Sequence, residues 1–288
     1  MASTYNNLYL DIRQQLKQAG IEAAQLEARE LVCHAAGKTR EQFFRDLTLY
    51  APAQVEQTLA GLVERRLAGE PVAYIIGAWE FYGLTLEVTP QVLIPRMDTE
   101  VLAEQAILLA RAAGEGARVL DLCAGSGCVG LAVASNVPGC RVVLSDRSEE
   151  AMRICRQNVR RCDLNAWVTC FPADVLQDPD PALWDFDVIT CNPPYIPTGD
   201  LAALDPSVRD YEPRMALDGG RDGLDFYRAV AARWKNALRL GGTLLFEVGI
   251  HQAGPVQALL KQEGYENIRG FQDTAGIWRV VGGIIDSD

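Results

Sequence analysis

From about Thr99 onward, short aliphatic runs alternate with amphipathic segments, and this alternation constrains the fold more than any other feature of the chain. A helical pattern over 99–113 precedes Arg118–Leu122, and helix 128–136, Arg141–Ser145 and helix 148–162 follow. The series continues with a strand over 167–171, one ending at Cys191, helix 222–239, strand Thr243–Val248, helix 253–262 and strand Ile277–Val281. Apolar runs of this length, bounded by turn residues, read as strands buried on both faces. Strands separated by helices run parallel, because each helix crosses back over the sheet. The expected fold class is α/β, a sheet covered on both sides, and such sheets bind ligands beyond the carboxyl ends of their strands.

The first 70 residues have a different texture. Leu8, Ile12, Leu16 and Ala19 repeat at helical spacing, as do Leu26, Leu31 and Val32, and then Leu59, Leu62, Val63 and Leu67. Gly20, Gly37 and Pro52 punctuate them. The expected organisation is a helical domain over 1–70, a β-hairpin linker over 71–95 turning at Gly83, and an α/β domain over 96–288. The helical domain carries no catalytic constellation; it reads equally as a packing module or as a clamp for a protein partner.

A net charge of −11 argues against a long contact with nucleic acid, which rests on many Lys and Arg contacts to phosphate. Arg153, Arg156, Arg160 and Arg161 fit either a local basic patch or a solvated helix face. The eight cysteines include no C-x-x-C pair and there are only two histidines, so no metal site is expected. Thiols set in apolar runs, an amino terminus without a signal-peptide core and no membrane-length apolar run lead to the expectation of a cytoplasmic protein with no membrane partner.

After the first strand of the α/β series stands Asp121-Leu122-Cys123-Ala124-Gly125-Ser126-Gly127-Cys128-Val129-Gly130. Gly125, Gly127 and Gly130 satisfy G-x-G-x-x-G, and Asp146 follows about twenty residues on, where a carboxylate can accept from a ribose diol. Any nucleoside cofactor needs these parts. Asp121 tilts the choice away from a dinucleotide, since a carboxylate ahead of the loop repels a pyrophosphate and suits an ammonium. Asp174, after the third strand, either accepts from an adenine amino group or caps a turn.

Asn192-Pro193-Pro194-Tyr195 follows the run Phe186–Cys191. Two prolines fix φ twice and hold the Asn192 amide and the neighbouring carbonyls as rigid acceptors, with a ring one residue beyond. That arrangement suits a planar NH2 group, whose two hydrogens need two acceptors.

Asp-x-x-x-Gly-x-Gly with Asn-Pro-Pro-Tyr at the fourth strand resembles the class I, S-adenosylmethionine-dependent amino-methyltransferases. Ile94-Pro95-Arg96-Met97-Asp98-Thr99-Glu100, Tyr211-Glu212-Pro213-Arg214, Gly219-Gly220-Arg221-Asp222-Gly223-Leu224, Phe246-Glu247-Val248-Gly249 and Asp273-Thr274-Ala275-Gly276 narrow it. Together they resemble the HemK/PrmC-type peptide chain release factor glutamine methyltransferases. The resemblance implies a Rossmann-like, mostly parallel seven-stranded sheet, S-adenosyl-L-methionine as methyl donor, and the glutamine of a Gly-Gly-Gln loop in class I release factors as acceptor. It places cofactor contacts at Asp121, Cys123, Ala124, Gly125, Ser126, Gly127, Asp146, Asp174, Val175 and Asn192. It places glutamine binding on Asn192, Pro193, Pro194 and Tyr195, with Asn192, Pro193 and Tyr195 catalytic.

The chain departs from the family pattern at Met97, usually proline, and at Cys123-Ala124, usually Gly-Thr. The loss of glycine at Cys123 is tolerable provided that residue keeps a negative φ. Arg96 and Glu100 are expected to order the loop over the cofactor. Glu247 is either a structural acceptor or a catalytic group, and His34 and His251 fall in no expected site. The rival acceptor is a flipped nucleic-acid base.

Overall fold

Alternation of Val119 and Leu120 across one strand explains how this sheet is buried: Val119 belongs to one apolar cluster and Leu120 with Leu122 to a second. Successive side chains of a strand point to opposite faces, so two clusters on two faces follow from a period of two. The computed structural model describes residues 3–285, and the chain divides into two units, Met1–Ala78 with Asp205–Tyr211, and Trp79–Leu204 with Glu212–Asp288. The stretch 71–95, expected as a linker, is divided between them. Among the described residues no helix is long and apolar enough to cross a membrane.

The first unit holds α1 (Tyr5–Gln18), α2 (Ala24–Ala36), α3 (Arg40–Arg45), α4 (Ala53–Leu67) and α5 (Val72–Ile76). Thr39 and Gln42 form a reciprocal capping box at the start of α3. Ile12, Leu16, Leu31, Val32, Leu59 and Val63 are buried at the helical spacing read from sequence, whereas Leu26 and Leu67 are exposed. The Tyr211 hydroxyl donates to the Ala68 carbonyl at 3.1 Å, which ties the segment 205–211 to the end of α4.

The hairpin β1 (Ala78–Phe81) and β2 (Leu84–Glu87) starts on the last residue of the first unit and otherwise belongs to the second, where α6 (Glu100–Ala113) follows. Then come β3 (Arg118–Leu122), α7 (Cys128–Asn136), β4 (Arg141–Ser145), α8 (Glu149–Arg161), β5 (Val168–Cys170) and β6 (Phe186–Cys191). After a short α9 (Pro206–Arg209) in the first unit, α10 (Asp225–Arg233), β7 (Leu238–Glu247), α11 (Ala253–Gln262), β8 (Glu266–Gln272) and β9 (Trp278–Ile284) complete the chain. The sheet has seven strands in the order β5-β4-β3-β6-β7-β9-β8. The first five are parallel, while β9 runs antiparallel to both β7 and β8.

Two readings of the sequence need correction. The helix expected over 222–239 ends sooner: α10 stops at Arg233, a 3-10 turn covers Trp234–Ala237, and Leu238 pairs with Phe186 as the start of β7. Edge strand β8 was not foreseen at all, because its side chains are exposed or half-buried and carry no apolar period.

Candidate functional site

Order reversal beside β3 places the ends of β3, β4 and β6 around one cavity. From the sequence-derived set, Asp121, Cys123, Ala124, Gly125, Ser126, Asp146, Val175, Asn192 and Pro194 line it. Gly127, Asp174, Pro193 and Tyr195 do not. Asp174 instead caps its own turn, its Oδ1 accepting the Leu176 N–H at 3.0 Å, so the capping alternative describes its contacts here.

Glycine at 130 lets α7 lie close on the sheet: a Cβ there would stand 2.3 Å from Leu144 Cδ2 and 3.2 Å from the Asp121 Cβ. The Gly130 N–H donates to Asp121 Oδ2 at 2.9 Å, and the Thr190 hydroxyl donates to Oδ1 at 2.8 Å. Both Asp121 oxygens thus serve the junction of β3, β6 and α7. Burial nevertheless pushes this carboxyl up to about 7. Cys123 adopts φ +55°, contrary to the negative φ its tolerance presupposed. The chain turns sharply off β3 at this point, and the left-handed conformation that glycine adopts freely is carried here by a cysteine.

Asp146, half-buried at the end of β4, accepts the Gly125 N–H on Oδ2 at 3.0 Å and the Ser148 N–H on Oδ1 at 2.9 Å. Desolvation raises its affinity for a proton, while these backbone donors oppose the shift. Each oxygen keeps a further acceptor position. A vicinal diol supplies two neutral donors at that spacing, so the residues present fit a ribose.

Asn158, fully buried on α8, donates to the Ser126 and Glu87 carbonyls and accepts the Glu87 N–H, which pins the loop after β3 to β2. Arg153, Arg156, Arg160 and Arg161 are exposed on the same helix. Arg96 pairs with the buried Glu212, which also accepts the Ile94 N–H, and Glu100 Oε1 accepts the Tyr82 N–H at 3.2 Å. Arg96 and Glu100 are thus joined to Glu212 and to the turn at Tyr82.

Beyond β6, the Ile196 N–H donates to the Leu217 carbonyl and the Gly219 N–H to the Ile196 carbonyl. At Gly223, with φ +75°, a Cβ would stand 2.3 Å from the Tyr195 carbonyl oxygen. The Gly-Gly-Arg-Asp-Gly run is thus the floor on which the tetrapeptide lies. Gln252 Nε2 donates to the same carbonyl at 2.9 Å, and the Tyr227 hydroxyl donates to the Glu247 carbonyl at 2.9 Å.

Asn192 Nδ2 donates to Thr99 Oγ1 at 3.4 Å, and both side chains lie beside the Glu247 carboxyl, where they favour its charged form against burial. Glu247 is 3% exposed, and burial pushes it up to about 7. Sequence reasoning did not foresee Thr99, Gln252, Glu212 or Asn158. The motifs around Thr99 and Glu212 were visible, but nothing in one sequence says which side chain meets which.

Residues 7–77 match the PrmC N-terminal domain family and residues 98–203 the methyltransferase small domain family. The chain is 44% identical over 274 residues to the release factor glutamine methyltransferase of Geobacter sulfurreducens, covering 94% of this chain and 93% of that one. It is 36% identical to the protein of the same name from Caulobacter vibrioides, covering 99% of this chain and 97% of that one. A methyltransferase from Pyrococcus furiosus shares the fold at a TM-score of 0.52 and 18% identity, covering 79% of this chain and 100% of that one.

Proposed function

The chain belongs to the release factor glutamine methyltransferase family, and from that premise we propose that it methylates the side-chain amide nitrogen of the glutamine in the Gly-Gly-Gln loop of class I release factors. S-adenosyl-L-methionine supplies an already activated methyl group, so the protein's work is binding and orientation. The observation that carries this reading is that Asn192 and Pro194 line the same cavity as Asp146 and the Cys123–Ser126 loop. Donor and acceptor therefore have one chamber to meet in.

Asp146 would accept from the ribose hydroxyls of the bound cofactor, and Cys123–Ser126, which line the cavity, would lie against it. The Asn192 side-chain oxygen and the Pro193 carbonyl accept the two hydrogens of the glutamine amide, and Pro194 and Tyr195 bound its plane. An amide nitrogen is a poor nucleophile because its lone pair is delocalised; two acceptors on its hydrogens turn it toward the methyl and lend it electron density. The proton then lost is strongly acidic and passes to water. His34 lies on α2 and His251 is exposed, so neither is called on as a base.

The helical unit, which includes Asp205–Tyr211, is the release-factor recognition module. A net charge of −11 supports a protein acceptor over a nucleic acid, and eight free thiols suit a cytoplasmic setting.

Incubating the full chain with methyl-labelled cofactor and either an intact class I release factor or a nucleic-acid pool tests the assignment. Mass spectrometry is expected to place a single methyl on the Gly-Gly-Gln glutamine. Label appearing in nucleic acid alone would overturn it.

A further inference from the structure

Two buried carboxylates stand near the cavity, and they are used differently. Both oxygens of Asp121 are taken up by donors that join β3, β6 and α7. Glu247, at the end of β7, is 3% exposed and has an Oε2 with no partner; the side chains beside its carboxyl that favour its charged form include Thr99 and Asn192, which are joined to each other at 3.4 Å. A carboxylate that served only the scaffold would be satisfied by it. This one has among its neighbours the amide on which the acceptor reading rests.

We propose that Glu247, together with Thr99, is a positioning residue that fixes which way round the Asn192 amide stands. The proposal deepens the reading of Asn192 as the grip on the acceptor amide. Nitrogen and oxygen of an asparagine amide are nearly equal in shape, so packing alone barely distinguishes its two orientations. An ionised carboxylate accepts hydrogen bonds and cannot donate them. Beside ionised Glu247, and with Nδ2 facing Thr99 Oγ1 at 3.4 Å, the amide must present its N–H groups to this pair. Oδ1 is then the atom left for the cavity that Asn192 lines. Reversed, the amide would set its own NH2 against the NH2 of the acceptor, and Oδ1 would face a carboxylate.

Protonation removes the distinction. A neutral Glu247 carries an O–H that can donate to Oδ1, so both orientations find a partner. Burial is the main cause that holds Glu247 up to about 7, Asp98 adds to it, and Arg279 together with the donors Thr99 and Asn192 opposes it. Tyr195, Tyr227 and Cys128 also feel its charge. The charged form, which locks the amide, is gained as pH rises through neutrality, so turnover at saturating substrates rises over the same interval. Asp121 titrates in the same range but sits at the cofactor loop, so its effect falls on cofactor KM.

The test uses the full chain with 15N-labelled asparagine, the Asn192 side-chain resonances being those lost in Asn192→Asp. In the wild type these resonances are expected to shift with pH about a midpoint near 7, and the shift is expected to vanish in Glu247→Gln, whose amide can donate as well as accept. In the same variant kcat is expected to fall about tenfold to a hundredfold and to lose its pH limb, while cofactor KM stays within about twofold. Thr99→Val is expected to lower kcat and Thr99→Ser to recover most of that loss, which keeps the proposal testable should Glu247→Gln fold poorly. Wild-type kcat and pH limb in Glu247→Gln, or Asn192 resonances indifferent to pH, would overturn it. Those resonances are read without turnover, so a wild type inactive on release factor would sink the acceptor assignment and still leave this proposal to be decided by them.

Discussion

Gln252 Nε2 donates to the Tyr195 carbonyl oxygen at 2.9 Å, while its Oε1 accepts the Gly249 N–H at 3.0 Å. One side chain thus joins the turn after β7 to the tetrapeptide after β6. It also donates to the Gly223 carbonyl at 3.3 Å, so the floor beneath Tyr195 shares the same clamp. Removing these bonds in Gln252→Ala leaves carbonyls and an N–H without partners, at a cost of about 2 kcal/mol in stability. Turnover is expected to fall further than that loss would suggest, with cofactor affinity preserved. Thermal unfolding with calorimetric titration of the cofactor checks it, and unchanged melting with unchanged kcat would remove Gln252 from the account.

The strain at Cys123 predicts an order of variants. Its φ of +55° costs roughly 1–2 kcal/mol for a residue with a Cβ. Glycine relieves that cost but gives back roughly 0.5–1 kcal/mol of unfolded-state entropy. Cys123→Gly is therefore expected to gain up to about 1.5 kcal/mol, whereas β-branched Cys123→Val, stiffer at χ1 and bulkier in the same conformation, loses stability. Denaturant unfolding of the three chains reads the order directly, and a valine variant as stable as the glycine one contradicts it.

Asp146 carries two tasks, since it holds the Gly125 and Ser148 N–H groups and faces the cavity. Asp146→Ala is expected to weaken cofactor binding by about a hundredfold, the sum of two charge-assisted bonds to hydroxyls and of a less ordered loop. Isothermal titration measures it. An affinity within about threefold of wild type would place the diol elsewhere.

Asp121 links stability to pH in a direction opposite to that of an ion-paired carboxylate. Its ordinary value is 3.8, and burial holds it at about 7 in the folded chain, so the folded state keeps a proton that the unfolded state has released. The stability this contributes is full below the unfolded value and is lost as pH rises through the folded one. Glu247, also held at about 7, adds to the same slope. Asp121→Asn should flatten part of the decline, and unfolding midpoints measured from about pH 5 to about pH 8 compare the two chains. Parallel curves would mean that another group carries the linkage.

The parallel core of the fold was legible because its strands announce themselves. Arg118–Leu122 and Arg141–Ser145 are short apolar runs closed by turns, and β3 and β4 have those bounds. Glu266–Gln272 gave no such signal: a strand paired on one side only, with exposed side chains, is held by its backbone bonds to β9. Leu238 fell inside the helix expected over 222–239, and its pairing with Phe186 makes it the start of β7 instead.

For the site, the sequence by itself determined the inventory: a glycine-bearing loop after β3, an aspartate ending β4, and two prolines that make Asn192 rigid. Those are local facts, since backbone φ and loop spacing are set by adjacent residues. Tertiary structure decided the rest. It gave Asp121 to the scaffold and Asp174 to its own turn, and it brought Thr99 to Asn192 across 93 residues and Gln252 to Tyr195 across 57. Which donor meets which acceptor depends on strand order and register, and those are fixed only when the whole sheet packs.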